Sequence, residues 1–209
     1  MEIICISDTH GLHREISLPP GDILLHAGDV SMGGKEKEII PFLEWFAKQD
    51  YRHKIFISGN HDFFFEKESP EKIRSLIPPG VIYLNDSGIE IEGVRIWGSP
   101  IQPWFMDWAF NRQRGAEIKK HWDLIPDNTD ILVTHGPPAG MLDQVYTGLP
   151  VGCEDLMETV GRIKPKLHLF GHIHEAYGTI RQDDTLFVNA SVLNRHYQPA
   201  NEAITFVWK

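Results

Sequence analysis

The stretch Leu167-His168-Leu169-Phe170-Gly171-His172-Ile173-His174-Glu175 is an apolar run that stops at a glycine and delivers two histidines two positions apart. In an extended segment, residues i and i+2 project to the same side, so both imidazoles can face one site. Imidazole is the commonest transition-metal ligand, and a pair at the mouth of a buried strand can supply half of a metal centre, although two nearby histidines taken alone read as ordinary polar residues. Four other places repeat this construction. Glu2–Ser7 ends in Asp8-Thr9-His10-Gly11, and Ile23–Ala27 ends in Gly28-Asp29. Lys54–Ser58 ends in Gly59-Asn60-His61-Asp62, and Asp130–Thr134 ends in His135-Gly136. Any one Asp or Asn beside glycine reads as a turn former. Five together read differently, because the loops at the carboxyl ends of strands in open α/β sheets form the ligand crevice and can converge there.

The rest of the chain bounds what such a site serves. At 209 residues the chain can bury a sizeable core, and with no repeat, low-complexity segment or linker it reads as one domain, 1–209. Its 42% hydrophobic and 23% charged residues are those of a globular protein rather than a disordered one. No apolar stretch is long enough to span a bilayer, and the N-terminus enters a strand with no basic or signal-like segment, so a cytoplasmic location is expected. Cys5 and Cys153 are too few for a disulfide framework and read as a buried small hydrophobe and a helix-end residue. A formal charge of −9 with no cluster of Lys and Arg argues against a binder of long nucleic acid.

Periodicity places the elements. Gly33–Gln49 reads as an amphipathic helix, with Pro41 near its effective start or kinking it, and a strand on each side implies a parallel β–α–β unit. Ser69-Pro70 opens a short helix as cap and first residue. Val81–Leu84 and Ile89–Trp97, the latter turning at Glu92-Gly93, read as an antiparallel section. Ala116–Trp122 and Glu154–Ile163 read as helices, Gly136–Gly152 as a long loop of the kind that edges active sites, and Gly178–Arg181, Thr185–Asn189 and Ala203–Trp208 as late strands. Phe63-Phe64-Phe65 reads as a buried cluster. Trp104, Phe105, Trp108 and Phe110 sit in an aperiodic stretch. They could stack on a nucleobase, but are read first as pinning their loop to the core.

Asp8-x-His10, Gly28-Asp29, Gly59-Asn60-His61-Asp62, His135-Gly136 and Gly171-His172-x-His174, in that order, resemble the signature blocks of the calcineurin-like metallophosphoesterases over residues 4 to 191. The text around them, including Val188-Asn189-Ala190-Ser191, is similar to the branch of animal metallophosphoesterase-domain proteins, which is class III phosphodiesterase-like. One departure stands out: the second block reads Gly28-Asp29-Val30-Ser31-Met32, without the GDxxD-Arg extension of many members. Any substrate contact from that extension is missing, which weighs against a protein-phosphatase role.

Carboxylates, imidazoles and one amide suit Mn²⁺, Fe²⁺ or Zn²⁺, and Mn²⁺ is favoured here. Seven candidate ligands are too many for one ion with an open position, whereas two ions ~3.5–4 Å apart would use them all. The resemblance implies that Asp8, His10, Asp29 and His174 hold one ion, and that Asn60, His135, His172 and the bridging Asp29 hold the other. It implies in-line attack on phosphorus by a bridging hydroxide, with His61 protonating the leaving oxygen and Asp62 orienting that imidazole. His13, His26, His53, His121, His168 and His196 match no block and read as core or surface histidines, His26 and His168 inside strands. The implied fold is a four-layer α/β/β/α sandwich. The expected activity is a phosphodiesterase acting on small, nucleotide-like esters, and the alternative is a regulatory nucleotide-binding module that keeps the metals but turns over poorly.

Overall fold

The computed structural model describes residues 1–209. Its layers follow from the two-residue period of its strands. In β1 (Glu2–Ile6), Ile3 and Cys5 enter one buried cluster while Ile4 and Ile6 enter another. The same alternation holds in β2 (Ile23–His26), where Ile23 and Leu25 face one way and Leu24 the other. It holds again in β9 (Ile131–Thr134), where Ile131 and Val133 face away from Leu132. Strands apolar on both faces must be covered on both. Here the inner faces cover each other and helices cover the outer ones.

The first sheet is ordered β13-β1-β2-β3-β4, with β3 at His53–Phe56, β4 at Val81–Tyr83 and β13 at Ile204–Val207. The second is ordered β11-β12-β10-β9-β6-β5, with β5 at Ser87–Ile91, β6 at Val94–Ser99, β10 at Leu167–Phe170, β11 at Gly178–Gln182 and β12 at Thr185–Asn189. A short ribbon of β7 (Gln102–Pro103) and β8 (Asn111–Arg112) stands apart from both. Between the two large sheets lies a cluster that includes Ile3, Cys5, Leu25, Ile55, Ile96, Val133, Leu169 and Val188. Outside the first sheet, α1 (Glu36–Ala47) buries Ile39, Phe42, Leu43 and Phe46. Outside the second, α4 (Ala116–Trp122) and α5 (Glu154–Ile163) bury Ile118, Trp122, Leu156, Val160 and Ile163. The result is the α/β/β/α sandwich that the sequence led us to expect, with both sheets mixed.

Local signals account for the element ends. Ser69 Oγ accepts the Lys72 N–H at 3.2 Å at the start of α3 (Pro70–Leu76). Cys153 is the N-cap of α5, and Lys164, in the left-handed region at φ 47°, ends it before Pro165. Pro41 lies inside α1, which continues past it, so it neither starts nor ends the helix. One other expectation needs correction. The Val81–Tyr83 strand is not antiparallel to its neighbour but runs parallel beside β3, so within residues 81–99 only the β5–β6 hairpin is antiparallel. Phe64 and Phe65 are buried as expected, on the short helix α2 (Phe63–Lys67).

Candidate metal centre and active site

The carboxyl ends of β1, β2 and β3 in one sheet and of β9 and β10 in the other meet at one place. The sheets join there through a parallel bridge between Ser7 and Ser191, in which Ser7 N donates to Ala190 O at 2.8 Å and Val192 N to Ser7 O at 3.0 Å. Asp8, His10, Asp29, Asn60, His61, His135 and His174 are all buried, and His172 is half-buried. The backbone is strained to do this: Asp8, His10, Asp29 and His172 have φ of 57°, 43°, 54° and 69°. Left-handed backbone at a non-glycine residue costs of order 1 kcal/mol and persists only where the surroundings over-determine it. Space is equally tight. A Cβ on Gly171 would lie 2.0 Å from Asp8 Oδ2, and one on Gly59 would lie 2.3 Å from Asp29 Oδ1, so only glycine fits either position.

Three sets of ligand atoms lie within 4.8 Å of one another: Asp8, His10 and His174; Asp29, His135 and His172; and His10, Asp29 and His61. In the first set, His174 Nε2 is 3.5 Å from Asp8 Oδ1 and 3.3 Å from His10 Nε2. In the second, His135 Nε2 is 3.3 Å from Asp29 Oδ2 and 2.9 Å from Asn60 Oδ1. Asp29 Oδ2 links the sets, at 3.6 Å from His10 Nε2 and 4.0 Å from His61 Nε2. Donors ~2.1 Å from one ion sit about 3.0–3.5 Å apart, so these spacings fit residues gathered around a divalent cation.

The imidazoles are presented in a suitable tautomer. Nδ1 donates to a backbone carbonyl in three of them: His135 to Ala27 O at 2.9 Å, His174 to Asn194 O at 3.0 Å and His61 to Met32 O at 2.7 Å. A carbonyl can only accept, so the proton is held at Nδ1 and Nε2 faces the site, as metal-ligating histidines are held. Asp8 is held by the His172 N–H at 3.0 Å and by the Ser191 hydroxyl at 2.7 Å.

Charges at the site come in buried, mutually paired groups. Burial alone raises the Asp8 and Asp29 carboxyls. The imidazoles around them, chiefly His174 for Asp8 and His135 for Asp29, reverse this and hold both well below the usual carboxylate range. Burial lowers His135 and His174, but Asp29 and Asp8 respectively carry them up to about 9. His10 and His172, where burial dominates, fall to about 4. Protons on His135 and His174 therefore balance two buried carboxylates, the role a divalent cation takes over when it displaces them.

Asp62 is not where the resemblance put it. Its carboxylate accepts from Val30 N, Ser31 N, Ser31 Oγ and Gly59 N at 2.6–3.1 Å and leaves the His61 ring to the Met32 carbonyl. Burial, then the Asp29 charge, raise the Asp62 pKa to about 6 against those hydrogen bonds. The aromatic stretch also divides. Trp104 and Phe105 are 52% and 56% exposed and pin nothing, Phe110 is buried, and the Trp108 ring lies 4.2 Å from the His61 ring. Ser191, Asn194 and Tyr197 were not singled out by sequence reasoning. Tyr197, at φ 59°, sets its ring 4.9 Å from His10 and 5.2 Å from His174. Ser191 alone had a signal, as the last residue of the Val188–Ser191 block.

The model of the calcineurin-like phosphoesterase family matches residues 1–176. Human metallophosphoesterase domain-containing protein 1 is 43% identical over 225 residues, covering 96% of this chain and 69% of its own length. UPF0046 protein K07C11.7 of Caenorhabditis elegans is 35% identical over 218 residues, covering 99% and 74%. Among solved structures, TT1561 of Thermus thermophilus shares the fold with a TM-score of 0.59 at 13% identity, over 98% of this chain and 97% of its own. With both its sequence and the convergence of its strand ends in view, the chain belongs to the calcineurin-like phosphoesterase family.

Proposed function

We propose that the protein is a dinuclear metal-dependent phosphohydrolase that cleaves diesters of small, nucleotide-like molecules, and that residues 1–209 act as one domain. The observation that carries this reading is the position of Asp29 Oδ2, which faces Nε2 of His10, His61 and His135 at 3.6, 4.0 and 3.3 Å. A carboxylate so placed can be shared between two cations. Asp8, His10 and His174 would complete one set of ligands, and Asn60, His135 and His172 the other. Mn²⁺ is the favoured ion, with Fe²⁺ or Zn²⁺ also suited to these donors. When bound, such ions supply Lewis acidity at the phosphoryl oxygens and lower the pKa of the attacking water.

The chain's own residues do the rest. His61, fixed by the Met32 carbonyl and the Trp108 face, would act as the imidazolium: Nδ1–H stays on the Met32 carbonyl, and Nε2–H passes its proton to the leaving oxygen, which leaves the neutral ring. Asp62 ties the Val30–Ser31 backbone in place and so steadies the carbonyl that follows, a positioning role. Rings on both flanks, Trp108 beside His61 and Tyr197 beside His10 and His174, offer each arm of a diester a surface, which supports a diester over a monoester. Two free, buried thiols accord with a reducing, cytoplasmic setting.

The test is hydrolysis of bis(p-nitrophenyl) phosphate and p-nitrophenyl phosphate by metal-stripped protein with Mn²⁺, Fe²⁺ or Zn²⁺ restored. Metal-dependent turnover that favours the diester is expected. No turnover of either ester by protein holding two metals would replace the enzyme with a nucleotide-binding module.

A further inference from the structure

The loops that carry the candidate ligands, residues 8–13, 28–35, 59–63, 135–152, 171–177 and 189–201, contain two basic side chains, Lys35 and Arg195. Lys35 is the N-cap of α1, its backbone N–H donating to Glu38, and its ammonium lies over no aromatic ring. Arg195 is different. It projects from a tight hairpin in which Asn194 N donates to Gln198 O at 2.9 Å and Tyr197 N to Asn194 O at 2.8 Å. That same Asn194 carbonyl holds His174, so the hairpin is registered to the metal centre. The Arg195 guanidinium has no carboxylate partner. Its Nε donates to His196 Nε2 at 3.2 Å, and its central carbon stands 5.2 Å from the centre of the Tyr146 ring.

Tyr146 also lines a groove of about 550 Å³, with Leu142, Val145, Glu175, Ala176 and Ile180, that begins at the residue after His174. The acids along it are already engaged. Glu175 accepts the Tyr146 N–H at 2.6 Å, and Asp143 accepts the N–H groups of Gly140 and Gly152 at 2.9 and 3.1 Å. The groove thus offers aromatic and aliphatic walls and two carboxylates held by backbone N–H groups, and beside it, over the Tyr146 ring, stands the Arg195 guanidinium. On a chain of net charge −9, a guanidinium stacked on an aromatic face, with its terminal N–H groups free, is built to meet an anion.

We propose that Arg195, Tyr146 and Tyr197 form a subsite, opening from the metal centre into this groove, that binds a second phosphate carried by the substrate on the ester arm that is not released. The preferred substrate is then a phosphodiester bearing a further phosphate. The inference rests on the proposed function only in placing the scissile phosphate at the metals.

The test reads binding as well as turnover. By calorimetry at fixed salt, metal-loaded wild-type protein is expected to bind thymidine 3′,5′-bisphosphate about tenfold or more tightly than thymidine 5′-monophosphate, the scale of a hydrogen bond to a charged group. Arg195→Gln should bring the two affinities within about twofold, and Arg195→Lys should fall between, with melting temperatures unchanged. Tyr146→Leu should narrow the difference by loosening the guanidinium. Equal affinities in the wild type, binding of neither nucleotide, or a preference that survives in Arg195→Gln would overturn the subsite. A preference seen in protein that turns over no ester would uphold the subsite while sinking the phosphohydrolase, so the two readings fail separately.

Discussion

The two sheets contribute opposite halves of the site. Strand ends of the first supply both carboxylates, Asp8 and Asp29, together with His10, the Asn60 amide and His61; those of the second supply only imidazoles, His135, His172 and His174. Two of the three ligand sets cross the seam, where Asp8 and His10 meet His174 and Asp29 meets His135 and His172, while the third, His10, Asp29 and His61, lies wholly in the first half. The acidic half also depends on the other electrostatically. Two carboxylates buried together would repel and protonate, yet the imidazoles opposite hold both ionised. Sheet packing and ligand assembly are therefore one event in this fold.

The sharpest way to break the division is at its linking atom. Asp29→Asn keeps the shape and removes the shared charge, so turnover should fall about 10³-fold and bound metal below two ions per chain. Steady-state kinetics with elemental analysis checks this, and two ions retained at wild-type affinity would undo the bridging assignment. Next in size, His61→Ala should keep both metals and lose about 10²–10⁴ in turnover, since it removes a proton donor and no ligand. Loss of metal in that variant would move His61 into the ligand set. A smaller effect is expected where the second sheet steadies the first: Ser191→Ala leaves Asp8 Oδ2 to the His172 N–H alone and should weaken metal binding about 10–100-fold in a chelator competition. Unchanged affinity would reduce Ser191 to a hydroxyl of convenience.

The smallest effect concerns a histidine outside the site. Burial lowers His168 from the ordinary 6.5 to about 3, and its Nε2 pairs with Thr134 Oγ1 at 2.9 Å. Below pH 6.5 the unfolded chain takes up a proton that the folded chain refuses. Stability should therefore fall as pH drops from 6.5 toward 3, by at most about 1.4 kcal/mol per pH unit from this group. His168→Leu should flatten the decline of melting temperature between pH 6.5 and 4.5. An unchanged slope would show that His168 does not set it.

The halves differed too in how far they could be read from the chain. Strand ends were legible because an apolar run closed by glycine and a ligating side chain is a local signal, and α4 and α5 carried helical periods with clear breakers. The partners that aim the imidazoles were not legible. Ala27, Met32 and Asn194 each serve through a backbone carbonyl, which any residue type could supply, so nothing in those letters marks the role. The left-handed backbone at Asp8, His10, Asp29 and His172 contradicts local preference and is imposed by packing. The direction of β4 was missed because a three-residue strand takes its orientation from β3, 27 positions earlier at Lys54 and Val81. Trp104 and Phe105 were read as pins on composition, whereas exposure depends on where their loop goes.

The seam between the sheets also orders events in time. Asp8 leaves the ribosome early, yet the N–H of His172 and the hydroxyl of Ser191 that engage it lie 164 and 183 positions further on. At about 5–20 residues per second, roughly ten to forty seconds of translation separate the acidic residues from the basic ones that complete them. A cation arriving in that interval would meet carboxylates, an amide and two histidines on an unclosed sheet, since β13, which pairs with β1, is made later still. The cluster is therefore completed only when the C-terminal third of the chain has been made and has folded back against the first strand.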